Sequence, residues 1–322
     1  MICNLCPRRC GAERTETVGK GHCRMPEAPV LARAALHMWE EPPISGQNGS
    51  GTVFFSGCSL DCVFCQNDSI SHQDFGKAVT VERLREICLE LIGQGAHNIN
   101  FVNPTHYAHV IARLLEEPLP VPVVWNSGGY DRVETLRALE GKVDIYLPDL
   151  KYLTPELSER YSGAADYPEV ATAAIREMVR QTGPCVVEDG LLKRGTVIRH
   201  LVLPGRLAEA KRVMDFISEE FPAGTVLFSL MSQYLPQGRA AEFPEIDRRL
   251  RGSEARSAQA YMEALGLEGF TQEGSAADAG YIPPFDLTGI KKTDGTLWFR
   301  PLFCVYMAYR RWRGSRPRKA LI

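Results

Sequence analysis

Much of what a chain of this length could be is excluded by what it lacks. It has no uninterrupted run of roughly 18 apolar residues, the length a membrane-crossing helix requires. Its opening MICNLCPRRC carries no apolar signal core. A cytoplasmic protein with no membrane partner is the expectation. Charge is nearly balanced, at a formal −2, so no overall field draws the chain to nucleic acid or anionic lipid. Internal repeats and low-complexity tracts are missing too. What is left is an ordinary soluble composition, and 322 residues suffice for one core of α/β-barrel size or for two small domains.

The most telling absence is a single thiol. Over Thr52 to Asn67 (TVFFSGCSLDCVFCQN) a short apolar strand, Thr52 to Phe55, runs into a Ser-Gly turn that delivers Cys58, Cys62 and Cys65. Three thiolates at that spacing wrap one corner of a cubic iron–sulfur cluster, and no fourth cysteine follows to take the remaining iron. That iron is left open to an exogenous molecule. A zinc site one ligand short and three unrelated core cysteines are the bland alternatives.

Cysteine itself is plentiful. Ten occur in a chain without an export signal, which favours metal ligation over disulfides, and seven lie within the first 65 residues. Cys3, Cys6, Cys10 and Cys23 are interleaved with Pro7, Gly11, Gly19 and Gly21 and show no apolar periodicity, so residues 1–28 read as a small segment that folds around a metal. A second iron–sulfur cluster and a tetrahedral zinc serve that spacing equally well, with a labile thiol group behind them. His22 reads as a solvated neighbour of Cys23. Cys88, Cys185 and Cys304 read as small buried hydrophobes; Cys88 shares an apolar helix face with Leu84, Ile87 and Leu91.

Taken in order, residues 29–48 read as a linker, with Ala32 to Trp39 a short helix or strand and Glu40 and Glu41 a solvated pair. Residues 49–235 alternate strand and helix patterns. Strands are expected at Thr52–Phe55, Asn98–Val102, Pro120–Trp125, Val143–Leu147, Thr196–Leu203 and Val226–Met231. Helices are expected from Thr80, His106, Asp166 and Leu207, with Asp131 and Glu134 forming a capping box, and Asp189-Gly190 marks a hairpin. The fold class is therefore α/β, an open partial (β/α)6 TIM-like barrel with a small Cys-rich metal-binding segment at its N-terminus. Residues 236–290, including a helix over Ser253–Leu265, should pack on the barrel. The tail 291–322 is basic, with seven Lys or Arg and no acidic residue from Arg300 onward, and reads as solvated or as a docking patch for an acidic partner or RNA.

In parallel α/β barrels ligands bind at the C-terminal ends of the strands. The polar residues there are Asn103, Thr105 and His106; Asn126 and Ser127; Asp149 and Lys151; Arg199 and His200; and Ser232, Gln233 and Tyr234. His106 is either a helix start or an acid/base group.

With the aromatic Phe64 before its third cysteine, the cluster loop resembles the signature of the radical S-adenosylmethionine (SAM) enzymes. The segments CNLCPRRCG, LHMWEEPPISG, NFVNPTHY, WNSGGY, YLPDLKY, IRHLVLPG, SLMSQY and YIPPFDLTGI extend the resemblance from Cys3 to Ile290, to the PflX-like branch related to pyruvate formate-lyase activating enzyme. The resemblance implies an oxidoreductase with a 4Fe-4S cluster on Cys58, Cys62 and Cys65 that cleaves SAM to a 5′-deoxyadenosyl radical. It places SAM contacts on Asn126, Ser127, Asp149, Lys151 and Arg199. SAM offers a carboxylate, a ribose diol and an adenine face, for which Arg199 and Lys151, Asn126 and Ser127, and Phe64 are the natural partners; Gln233 joins them. The Gly-Gly-Glu segment that binds the SAM amino group in those activases is replaced here by Asn103-Pro104-Thr105-His106, which leaves Asn103 and Thr105 as substitutes.

The leading function is hydrogen abstraction from a partner protein, a glycyl radical enzyme, with reduced flavodoxin or ferredoxin as electron donor. Radical modification of a small metabolite or RNA is the alternative, and a non-catalytic iron–sulfur or zinc scaffold the second alternative.

Overall fold

The computed structural model describes residues 1–271, 283–291 and 310–312. Its first long strand, β1 (Val30–His37), lies where a linker was expected and pairs antiparallel with β2 (Ser50–Phe55). Between them the chain enters the sheet's inner face: Ile44 packs on Val124, Ile145, Leu147 and Val197. Residues 29–48 are thus a sheet strand, paired on its outer side with Lys77–Ala78, followed by an interior plug, because their apolar side chains have a concave face to fill.

All six expected strands are present. After β2 come β3 (Ile99–Val102), β4 (Val123–Ser127), β5 (Ile145–Pro148), β6 (Leu191–Leu201) and β7 (Leu227–Met231). They pair in parallel in chain order, with helices in the crossovers between them. A short strand the sequence did not disclose, β8 (Gly269–Thr271), extends the sheet in parallel beside β7, and the backbone of Arg310–Trp312 pairs antiparallel with it. The strand order never returns on itself, so the barrel stays open.

The crossovers are built as amphipathic helices. Thr80 accepts from Arg83 N at 3.1 Å and starts α1 (Val81–Gly93), whose buried face is Leu84, Ile87, Cys88 and Leu91. Next come α2 (Ala108–Leu114), α3 (Val133–Arg137), α4 (Pro155–Ser162), α5 (Tyr167–Thr182), α6 (Leu207–Glu220) and α7 (Gly252–Leu265). Helix α4 was legible but passed over: Pro155 opens it, and Gly163, left-handed at φ 61, closes it. The hairpin is as expected, Asp189 and Gly190 at φ 50 and 79 folding Val186–Glu188 onto β6.

The expected capping box is absent. Arg132 stands at the N-cap of α3, and Asp131 is buried one residue earlier as an acceptor for side chains of the strand ends. Asp166 occupies the N-cap of α5 without a capping bond, because its carboxylate is taken by Tyr130 Oη at 2.7 Å. Residues 286–288 lie along β1, with Ala34 N donating to Thr288 O at 2.8 Å. Apart from Arg310–Trp312, the basic tail beyond Lys291 lies outside the described residues, as does Cys304. Among the described residues no helix is long and apolar enough to cross a membrane.

Candidate active site at the barrel mouth

Gly57 turns the chain out of β2 at φ 80, and a Cβ there would lie 2.3 Å from Met25 Cγ, so the turn requires glycine. The loop then sets three thiols in polar surroundings. Cys58 Sγ accepts from Leu60 N at 3.4 Å and lies 3.6 Å from Asn103 Oδ1; Cys62 Sγ is 3.1 Å from Ser162 Oγ; Cys65 Sγ is 3.6 Å from Ser71 Oγ. Burial pushes all three thiols up, Cys58 to about 12 and Cys65 to about 11; neighbouring thiolate charge adds to the rise at Cys58 and Cys65, and the Asp149 and Asp61 charges add to it at Cys62. A cationic centre shared between them reverses that penalty.

Cys58, Cys62 and Cys65 on one loop are a donor set that suits three irons of a cuboidal cluster. A cubane takes one thiolate per iron, so its ligands stand apart by the width of the cluster.

Beside these thiols opens a cavity of about 290 Å³. Its wall carries one residue from the end of each strand from β2 to β7, Phe54, Val102, Asn126, Asp149, Arg199 and Met231, together with Cys62, Phe64 and Cys65 of the cluster loop. Asp149 organises the polar side. It accepts from Arg199 Nε at 2.8 Å and from Lys151 Nζ at 2.6 Å, while Arg199 Nη2 donates to Asn126 Oδ1 at 2.7 Å. Burial alone would raise the Asp149 carboxyl, but the Arg199 and Lys151 charges outweigh it and hold it below its ordinary value.

Two acidic residues expected in solvent complete this wall. Glu40 Oε2 lies 3.4 Å from Arg199 Nη1, and its Oε1 accepts from Asn126 Nδ2 at 3.3 Å. Glu41 is 2% exposed, and its Oε2 has no partner. Burial drives both carboxyls up, Glu41 to about 7, against the pull of Arg199. Nothing local in WEEPP signals this; the residues are carried inside by the plug that follows β1. Gln233 Oε1 is a second buried acceptor on the cavity wall without a partner.

Of the expected SAM-contacting residues, Phe64, Asn126, Asp149, Lys151, Arg199 and Gln233 line the cavity. Phe64 packs edge-on to Tyr234 at 5.9 Å. Asn103, Thr105 and Ser127 stand behind the wall. Asn103, at φ 58, donates to Gly57 O and so holds the cluster loop. Thr105 Oγ1 and Ser127 Oγ donate to Asp131 at 2.7 and 2.5 Å. His106 is a core residue whose Nε2 lies 2.7 Å from Ser56 O, and burial lowers it to about 3. His200 is likewise buried, its Nδ1 2.7 Å from Leu150 O.

At the N-terminus Cys3, Cys6 and Cys23 are buried and Cys10 is exposed. Burial pushes the Cys6 thiol up to about 11, and the charges of Cys23, Cys3 and Cys10 add to the rise. His22 is not a free neighbour but lies 3.4 Å from Asp61 Oδ2.

The sequence profile of the radical SAM superfamily matches residues 52–217, from the first parallel strand to the helix after the fifth. The chain belongs to the radical SAM superfamily. An uncharacterized protein of Methanocaldococcus jannaschii is 33% identical over 276 residues, covering 83% of this chain and 75% of the relative. Among solved structures, SuiB of Streptococcus suis bound to precursor peptide SuiA matches with a TM-score of 0.48 and 13% identity over 67% of this chain and 47% of that one. A mutant spore photoproduct lyase with dinucleoside spore photoproduct matches with a TM-score of 0.45 and 12% identity, over 69% and 74%. This radical SAM protein spans about half the length of SuiB. Its family brings a [4Fe–4S] cluster and S-adenosylmethionine as cofactors, and three loop thiols beside a cavity lined by Asp149, Lys151 and Arg199 fit both.

Proposed function

We propose that Cys58, Cys62 and Cys65 hold the [4Fe–4S] cluster, that SAM fills the adjoining cavity, and that the protein abstracts hydrogen from a polypeptide, in the manner of glycyl radical enzyme activases. The bound cofactors supply the chemistry: an electron from the cluster cleaves SAM to a 5′-deoxyadenosyl radical. The chain's own residues place the reactants. Lys151 and Arg199 present two cations against the single charge of Asp149, which leaves net positive charge for the methionyl carboxylate. Burial raises the Glu40 and Glu41 carboxyls, so both compete less for Arg199 than ordinary carboxylates would. Asn126 is poised for a ribose or amino group, and Phe64 offers an apolar face to adenine. Glu41 Oε2 and Gln233 Oε1, unpartnered and buried, accept the N–H and O–H groups a ligand brings.

The observation that carries this reading is the cavity itself, in which Cys62, Cys65 and the Asp149 group line one open-mouthed volume of about 290 Å³. That is the low end for a single drug-sized ligand, so the hydrogen donor must approach from the open mouth. A polypeptide loop suits that approach better than a metabolite enclosed beside SAM. Reduced flavodoxin or ferredoxin would deliver the electron.

The test is anaerobic reconstitution, reduction, and assay for 5′-deoxyadenosine. Deuterium carried into deoxyadenosine from a Cα-deuterated glycine in a partner protein is the expected result. Transfer only from small molecules or RNA replaces the polypeptide part of the proposal, and a reconstituted protein that yields no deoxyadenosine is a scaffold.

A further inference from the structure

The last turn of α4 grips the cluster loop. Asp61 N donates to Ser162 O at 3.1 Å and Val63 N to Tyr161 O at 2.9 Å, so backbone bonds bracket Cys62 on both sides. Gly163 ends the helix at that point in the left-handed region. The main chain thereby fixes the place of the Ser162 hydroxyl, 3.1 Å from Cys62 Sγ. A second hydroxyl stands behind it. Tyr152, on the loop after β5 that also bears Lys151, sets its Oη 3.1 Å from Ser162 Oγ. Ser162 is fully buried and Tyr152 is 1% exposed, so water does not compete for either group.

Bound to iron, Cys62 is a thiolate and has no proton to give. The contact then runs one way only, with Ser162 Oγ donating to the sulfur. Once that proton is committed, Ser162 offers its neighbour an acceptor alone, and the Tyr152 phenol, protonated at neutral pH, donates to it. Hydrogen bonds aligned in a dry setting polarise and strengthen one another. The other two thiols have longer contacts, Leu60 N at 3.4 Å from Cys58 and Ser71 Oγ at 3.6 Å from Cys65.

We infer that the Tyr152 and Ser162 hydroxyls act through Cys62 to set the reduction potential of the [4Fe–4S] cluster, making it easier to reduce. Donors aimed at a cluster sulfur stabilise the state that carries the extra electron, because that state is the more negative. The pair favours loading of the electron over the force with which the loaded cluster then reduces SAM. Neither hydroxyl touches a reacting atom; both are positioning residues. The inference rests on the proposed assignment of Cys58, Cys62 and Cys65 to the cluster.

A redox titration of the anaerobically reconstituted protein, read on the reduced-cluster resonance that added SAM perturbs, decides between the outcomes. Ser162→Ala should hold as much iron as wild type, since the backbone bonds to the loop remain. At the potential where half the wild-type cluster is reduced, its ratio of reduced to oxidised cluster should be about tenfold smaller, equivalent to about 59 mV for one electron. Tyr152→Phe keeps the ring, removes only the outer hydroxyl, and should lower the ratio about threefold. An unchanged or larger ratio in either variant at full iron content overturns the inference while leaving the proposed function standing. Should Ser162→Ala lose iron, the Tyr152→Phe ratio decides alone, a fall sustaining the inference and no fall removing it. A wild-type chain without any SAM-sensitive resonance removes the proposed function and this inference together.

Discussion

Asp131 is a single carboxyl on which three donors depend: Ser127 Oγ at 2.5 Å, Thr105 Oγ1 at 2.7 Å and Trp125 Nε1 at 3.4 Å. All four residues are buried, so Asp131→Ala leaves donors that water cannot reach. A loss of about 3 kcal/mol in urea unfolding is expected, and a loss below about 0.5 kcal/mol would show that the donors find other acceptors. Glu41 makes the opposite contribution. Its folded value of about 7 lies above the ordinary 4.5, so between those values the folded chain keeps a proton that the unfolded chain has released. Its share of stability is therefore whole below about pH 4.5, falls as pH climbs to about 7 and then levels, by at most about 3 kcal/mol. Stability curves of wild type and Glu41→Gln across that window should diverge with this sign, the variant being the more stable at pH 8. Parallel curves would place the Glu41 carboxylate in contact with solvent.

Among the elements, the turn after β4 is the one that cannot be altered without reaching the site. Gly129 sits at φ 77, and a Cβ there would lie 2.1 Å from Asp149 O. Gly129→Ala forces the β4 and β5 ends apart and displaces Asp149, with which Lys151 and Arg199 are paired. SAM cleavage should fall by about tenfold or more while the fold loses about 1 to 3 kcal/mol. Unchanged kcat would mean that the Asp149 group does not position the cofactor. At this scale the alternation of strand and helix was legible because apolar runs of period two and stripes of period 3.6 are local properties. Caps were less so: Thr80 does cap α1, whereas Asp131 and Asp166 were drawn away by tertiary partners.

For the molecule as a whole, the N-terminal segment is a clamp on the barrel. Thr135 Oγ1 donates to Leu5 O at 2.7 Å, Arg132 Nη1 to Asn4 O, and Arg14 to the carbonyl of His106. With the metal expected from its four cysteines bound, the segment would take its shape from that metal. Limited proteolysis of the loaded protein should leave residues 1–28 intact, and oxidative removal of iron should open cleavage sites there well before the barrel is cut.

The chain's local order determined that thiols come in two groups, that one group is a ligand short, and that six strands alternate with helices. Spacing, periodicity and turn chemistry act between near neighbours and can be read along a line. Which side chains face the cavity was decided only when β1 and the plug after it entered the barrel, bringing Glu40 and Glu41 against Arg199 while Thr105 and Ser127 turned to Asp131. The reason is competition for partners: a buried polar group takes whichever donor or acceptor the packed interior places nearest, and residues far apart in sequence set that choice.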